Sequence, residues 1–184
     1  MIFNETKIAG VWTIEIEPIR DDRGWFARTH CAETFAARGL VSSFSQCSTS
    51  YNRLSGTLRG LHFQAAPAEE AKLVRCVRGA LFDVAVDMRR GSPTYGQWVA
   101  AELTADNRRA LLIPEGCAHG FQTLTDDTEI FYQISAPYAP ELSVGVRWND
   151  PDIAVTWPLG NPIMSDRDRK LPTLTELLST APLQ

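Results

Sequence analysis

The chain has 184 residues, 44% hydrophobic and 22% charged, an ordinary soluble composition and long enough for one domain with a real core. Acids and bases are interspersed to a formal net charge of −4, which argues against the clustered basic surface that a nucleic-acid partner requires. No apolar run approaches the roughly 20 residues of a membrane span, so no membrane partner is expected.

From the N-terminus, Met1-Ile-Phe-Asn-Glu-Thr-Lys7 lacks the charged-then-apolar pattern of a secretion signal. Period-two alternation, broken by Gly, Pro, Asn and Asp, then dominates. It predicts strands at 10–16, 25–29, 44–50, 57–63, 73–78, 80–88, 95–103, 110–113, 120–124, 129–134 and 154–157. The cleanest is 80–88, with Phe82, Val84, Val86 and Met88 on one face and Leu81, Asp83, Ala85 and Asp87 on the other. Helices are expected only at 31–38, stopped by Gly39, and at 173–179, where Leu174, Leu177 and Leu178 follow Pro172 at helical spacing. Cys31, Cys47, Cys76 and Cys117 have neither C-x-x-C pairing nor secreted-scaffold density, which predicts free thiols in a reducing cytoplasm. No repeat or linker interrupts residues 1–184, so a single all-β domain is expected, a sandwich or barrel with short terminal helices and edges to protect. Among such folds a jelly roll has an open mouth for a small ligand.

Residues 56–79 hold the most chemistry. Arg59, His62 and Lys72 lie within fourteen positions, a titratable imidazole between two cations, which suggests a pocket for an anion. Arg59 and His62 are three apart and on a flat strand would face opposite ways, unless Gly60 hosts a bulge. His30, His62 and His119 are the only histidines, and Gln64 stands two after His62, so three ligands for a catalytic zinc are not at hand. Metal binding is the weaker reading. His119 sits in a turn bracketed by Gly116 and Gly120, and Tyr132 alternates with Ile130 and Ile134 as a core tyrosine would. Ser165-Asp-Arg-Asp168-Arg-Lys170 reads most simply as a solvated charge cluster.

Together these stretches resemble the nucleotide-sugar 3,5-epimerases of the dTDP-4-dehydrorhamnose type. The matching residues include Asp22-Arg-Gly-Trp-Phe26, Gly56-Thr-Leu-Arg-Gly-Leu-His-Phe-Gln64, Lys72-Leu-Val-Arg-Cys-Val-Arg-Gly79, Ile113-Pro-Glu-Gly-Cys-Ala-His-Gly-Phe121, Tyr138-Ala-Pro-Glu141 and Val146-Arg-Trp-Asn-Asp-Pro151. The resemblance implies a cupin-like jelly roll (a double-stranded β-helix), a homodimer with exchanged N-terminal strands, and no metal or other cofactor. It implies His62 as base, Asp168 as its paired carboxylate, Lys72 as enolate stabiliser and Tyr132 as acid. Arg23, Phe26, Gln46, Arg59, His119, Tyr138 and Arg167 are the implied substrate-binding residues, for a nucleotide-diphosphate sugar that feeds polysaccharide or glycosylated products. A 3,4-ketoisomerase shares the fold and the enolate logic, and a sugar- or nucleotide-binding cupin would keep the pocket without turnover; pure binding, however, needs no acid and base on opposite faces.

The match fails at positions associated with the nucleotide. Arg28 and Ser143 stand where the family has acids, Cys47 and Ser48 replace an Asp-Asn pair, and the loop to Arg59 is one residue longer. On these residues a CDP- or GDP-linked sugar is as credible as a dTDP-linked one, and inversion at C3, C5 or both stays open.

Overall fold

A strand apolar on both faces needs a packed layer on each side, and the chain builds those layers. In a computed structural model, which describes residues 1–180, thirteen strands form two antiparallel sheets and a separate hairpin. The first sheet has the order β1 (Ile2–Glu5), β2 (Trp12–Glu15), β10 (Ala110–Ile113), β7 (Lys72–Arg78), β12 (Thr128–Ile134), β5 (Gln46–Asn52). The second runs β13 (Ser143–Gly145), β6 (Leu58–Gln64), β11 (Cys117–Thr123), β8 (Ala80–Asp87), β9 (Trp98–Thr104). The hairpin pairs β3 (Ile19–Asp21) with β4 (Gly24–Phe26). The expected all-β architecture is present. Among the described residues no helix is long and apolar enough to cross a membrane.

The alternation in β8 explains the layering. Leu81 and Ala85 pack inward on Val74, Leu111, Ile113 and Ile130 of the first sheet. Val84 and Val86 pack outward with Leu61, Ala118, Val146 and Ile153, beneath Leu174 of the C-terminal segment. The outer face of the first sheet, Ile14, Leu73 and Leu112, is covered by Phe35 of helix α1 (Ala32–Ala36). Each fully buried aliphatic or aromatic side chain here contributes about 1.5–3 kcal/mol.

The expected strand at 154–157 does not form. Asp150 accepts the backbone N–H groups of Asp152 and Ile153, and Ala154 then turns left-handed at φ 51, which ends any extended run. Trp157 instead fixes the segment by donating its indole N–H to the Trp148 carbonyl. Of the expected strand at 25–29 only Gly24–Phe26 is extended, paired with β3. Three short strands, β1, β3 and β13, had no sequence signal strong enough to stand out. Helices appear near both expected places, α1 and α3 (Leu174–Thr180), and a third, α2 (Asp166–Arg169), forms inside the run that read as a solvated charge cluster. Ser165 caps α2 by accepting the Asp168 N–H at 3.1 Å.

One irregularity aims the strand that matters most. Arg59 lies opposite Phe121 and His62 opposite His119, so Gly60 and Leu61 together face Gly120 alone. This is the bulge that lets Arg59 and His62, three apart, reach one pocket. Gly60 has φ 125, and a Cβ there would meet the Gly120 Cα at 2.6 Å and the His119 carbonyl at 2.8 Å. Neither backbone can yield without moving β11. Gly60→Ala is therefore expected to destabilise the protein by about 3 kcal/mol, read as a lower urea midpoint. An unchanged midpoint would mean that the bulge tolerates a side chain.

Candidate active site

The sheets enclose a cavity of about 510 Å³ on the side where β12 and β5 face β6 and β13. From the first sheet come Lys72 on β7, Tyr132 on β12, and Gln46, Ser48 and Ser50 on β5. Period two makes this possible: Ser48 lies opposite Tyr132 and Ser50 opposite Ile130, so alternate residues of β5 share the Tyr132 face. From the second sheet come Arg59, His62 and His119. Tyr138 sits on the loop after β12, and α2 closes the cavity with Arg167 and Asp168.

His62 and Asp168, 106 positions apart, meet at 2.9 Å between Nε2 and Oδ1. Burial would raise the Asp168 pKa, but the His62 hydrogen bond and charge, the Gly60 N–H and Ser165 outweigh it and hold the carboxyl below its ordinary value. Asp168 is thus an anion at neutral pH and accepts from His62. In the neutral ring that places the proton on Nε2 and leaves the Nδ1 lone pair as the acceptor site.

Lys72 Nζ lies 2.8 Å from Glu70 Oε1, both side chains almost buried. The two are alternate residues entering β7 and so reach the same cavity. Tyr132 shares a 3.0 Å hydrogen bond with Ser50, and burial pushes its hydroxyl well above its ordinary pKa despite that bond. His119 is held from behind by Asp83, 2.7 Å from Nε2, while the other Asp83 oxygen is buried without a partner among the described residues. Arg59 is steadied by Asn52 at 2.8 Å, and Arg167 donates to Ser143 at 3.1 Å.

The cavity thus gathers His62, Asp168, Lys72, Tyr132, Gln46, Arg59, His119, Tyr138 and Arg167. Arg23 and Phe26 are not among its lining residues. They belong to the β3–β4 hairpin, where Arg23 pairs with Asp21 and Phe26 is 69% exposed. Of the departures from the family pattern, Ser48 and Ser143 line the cavity, whereas Arg28 and Cys47 do not. Sequence reasoning missed Glu70, Ser50 and Asp83; the period-two spacing Glu70/Lys72 and Ser48/Ser50 was the available signal for the first two. Among the described residues no group of three or more His, Cys, Asp and Glu is arranged to hold a metal ion.

This arrangement offers a base backed by an anion, a cation and a hydroxyl acid around one small space. Comparison with known proteins points the same way. A family model described as dTDP-4-dehydrorhamnose 3,5-epimerase matches residues 5–176. A Sinorhizobium fredii (strain NBRC 101917 / NGR234) protein of that name is 45% identical over 178 residues, 96% of this chain and 91% of the relative. The crystal structure of the Bacillus anthracis dTDP-4-dehydrorhamnose 3,5-epimerase with TDP and PPi bound is 42% identical, has a TM-score of 0.90, and is matched over 94% of this chain and 99% of that one. The Streptomyces bikiniensis 3′-monoepimerase ChmJ, solved with dTDP-quinovose, is 36% identical with a TM-score of 0.87, over 95% of this chain and 89% of that one.

Proposed function

The chain belongs to the dTDP-4-dehydrorhamnose 3,5-epimerase family, with its cupin-like jelly roll and its isomerase chemistry, and from that premise we infer which residues invert the sugar and which nucleotide carries it. The enzyme epimerises a nucleotide-diphosphate 4-keto-6-deoxysugar. A 4-keto group acidifies the hydrogens on C3 and C5. His62 Nδ1 removes such a proton, and Asp168 stabilises the imidazolium that results. Lys72 faces the developing enolate oxygen as a preorganised positive charge. Tyr132 returns a proton to the opposite face of the carbon, so the centre inverts. The observation that carries this reading is the placement of His62 and Tyr132 on different sheets across one cavity: acid and base approach a bound sugar from two sides.

Arg59 and Arg167 face the diphosphate, where guanidinium groups match paired oxygens. Arg23 and Phe26 complete the site from a second copy of the chain. The hairpin that bears them leaves Ile19 73% exposed and Phe26 69% exposed, an apolar surface that a homodimer with exchanged hairpins would cover. The free cysteines among the described residues suit a reducing compartment, and we place the dimer, with one domain per protomer, in the cytoplasm.

The nucleotide is dTDP. The relatives' names support it, and the two departures inside the cavity, Ser48 and Ser143, are small polar residues that remove charge or bulk without blocking it. Incubation with dTDP-, CDP- and GDP-linked 4-keto-6-deoxyhexoses should give the highest kcat/KM with dTDP. A higher value with CDP or GDP would overturn the nucleotide assignment and leave the epimerase chemistry standing.

A further inference from the structure

An acid that delivers a proton to carbon must recover one before the next turnover, and the structure provides a group for this. We propose that Ser50 is a positioning residue for Tyr132: its hydroxyl holds the phenolate after proton delivery and connects it to solvent. The inference rests on the reading of Tyr132 as the acid.

Three observations carry it. Ser50 Oγ is 3.0 Å from the Tyr132 hydroxyl, the only hydrogen bond that hydroxyl makes among the described residues. The ring of Tyr132 lies against His119, with centroids 6.2 Å apart, and its hydroxyl is desolvated enough that the phenolate is costly. Ser50 itself is half-buried, on β5 at the edge of its sheet, and lines the cavity. Tyr132 is half-buried like Ser50 and lines the same cavity, so Ser50 can hold the tyrosine hydroxyl and still meet water there. Three other ionisable side chains around the cavity are paired: Lys72 with Glu70, His62 with Asp168 and His119 with Asp83.

The proton count closes. When the enolate carbon takes the Tyr132 proton, a C–H bond forms and the phenolic O–H breaks. Ser50 Oγ–H, until then free to act as donor or acceptor, donates to the phenolate. It then passes its proton across the 3.0 Å contact and takes one from water, while His62 releases to solvent the proton it removed from the sugar. No net proton is gained or lost, and no co-reactant other than water is needed.

The test compares wild-type protein, Ser50→Ala, Ser50→Thr and Tyr132→Phe with a dTDP-linked 4-keto-6-deoxyhexose in deuterated water, following by NMR both deuterium entry at the carbon and inverted product. Loss of one hydrogen bond to a charged acceptor predicts that Ser50→Ala lowers inversion relative to deuterium entry by roughly tenfold. Ser50→Thr, which keeps the hydroxyl, should restore the ratio. A merely structural role would lower both rates together, and that outcome, or an unchanged ratio in Ser50→Ala, overturns the proposal. Tyr132→Phe separates the two levels. If it suppresses inversion more than deuterium entry while Ser50→Ala behaves as wild type, the acid stands and the role of Ser50 falls. If it lowers both equally, the assignment of the acid falls, and the role of Ser50 with it.

Discussion

Replacing His62 with Asn should slow deuterium entry into a 4-keto sugar by about 10³-fold, within the 10²–10⁴ range for a positioned general base. The argument rests on what remains. Asn is polar and smaller, so it leaves the Asp168 carboxylate a hydrogen-bond donor but offers no lone pair basic enough to remove a carbon proton. The fold should survive, because the His62 side chain is 31% exposed and its ring belongs to no apolar cluster. Circular dichroism and the urea midpoint would establish that. Exchange in the variant at the wild-type rate would place the base elsewhere, and His119 would be the next residue to test.

Lys72→Met is expected to lower kcat by about 10²–10³-fold with a smaller change in KM, the size of effect seen when one preorganised donor to an oxyanion is removed. The substitution also strands Glu70, whose side chain is only 9% exposed and whose partner is Lys72. A buried carboxylate without its counter-ion is itself destabilising, and here it would repel an enolate. The double variant Lys72→Met, Glu70→Gln separates the two effects, since Gln keeps the shape and drops the charge. If Lys72 stabilises the enolate, the double variant stays near the activity of the single one. Recovery to within a few-fold of wild type would show that the loss came from the stranded Glu70.

Much of this was legible in the chain because it is local. The alternation at 80–88 fixed which residues of β8 face each layer, and both faces are indeed packed. The strand at 110–113 was read to the residue. Gly60 was visible as the place for a bulge, and the register shift opposite Gly120 supplies one. Short or irregular segments were not legible. Helix α2 has four residues, too few for helical periodicity, so the charged run around Asp168 looked solvated although Asp168 is 5% exposed. At 154–157 the apolar residues alternate as in a strand, but the left-handed turn at Ala154 depends on Asp150 capturing two N–H groups. The partners behind the site were equally hidden. Asp83 meets His119 across 36 positions and Ser50 meets Tyr132 across 82, distances over which no spacing rule operates. The N-terminal hairpin marks another limit, since a single protomer leaves Arg23 and Phe26 outside the cavity that the family pattern assigns them to.

The most direct measurement of the central claim is NMR of a dTDP-linked 4-keto-6-deoxyhexose incubated with the wild-type protein in deuterated water. The account predicts one deuterium at each inverted carbon, at C3, at C5 or at both, with the nucleotide diphosphate intact. Recovery of the sugar with no deuterium at either carbon, or movement of the carbonyl from C4 to C3 as in a ketoisomerase, would contradict it.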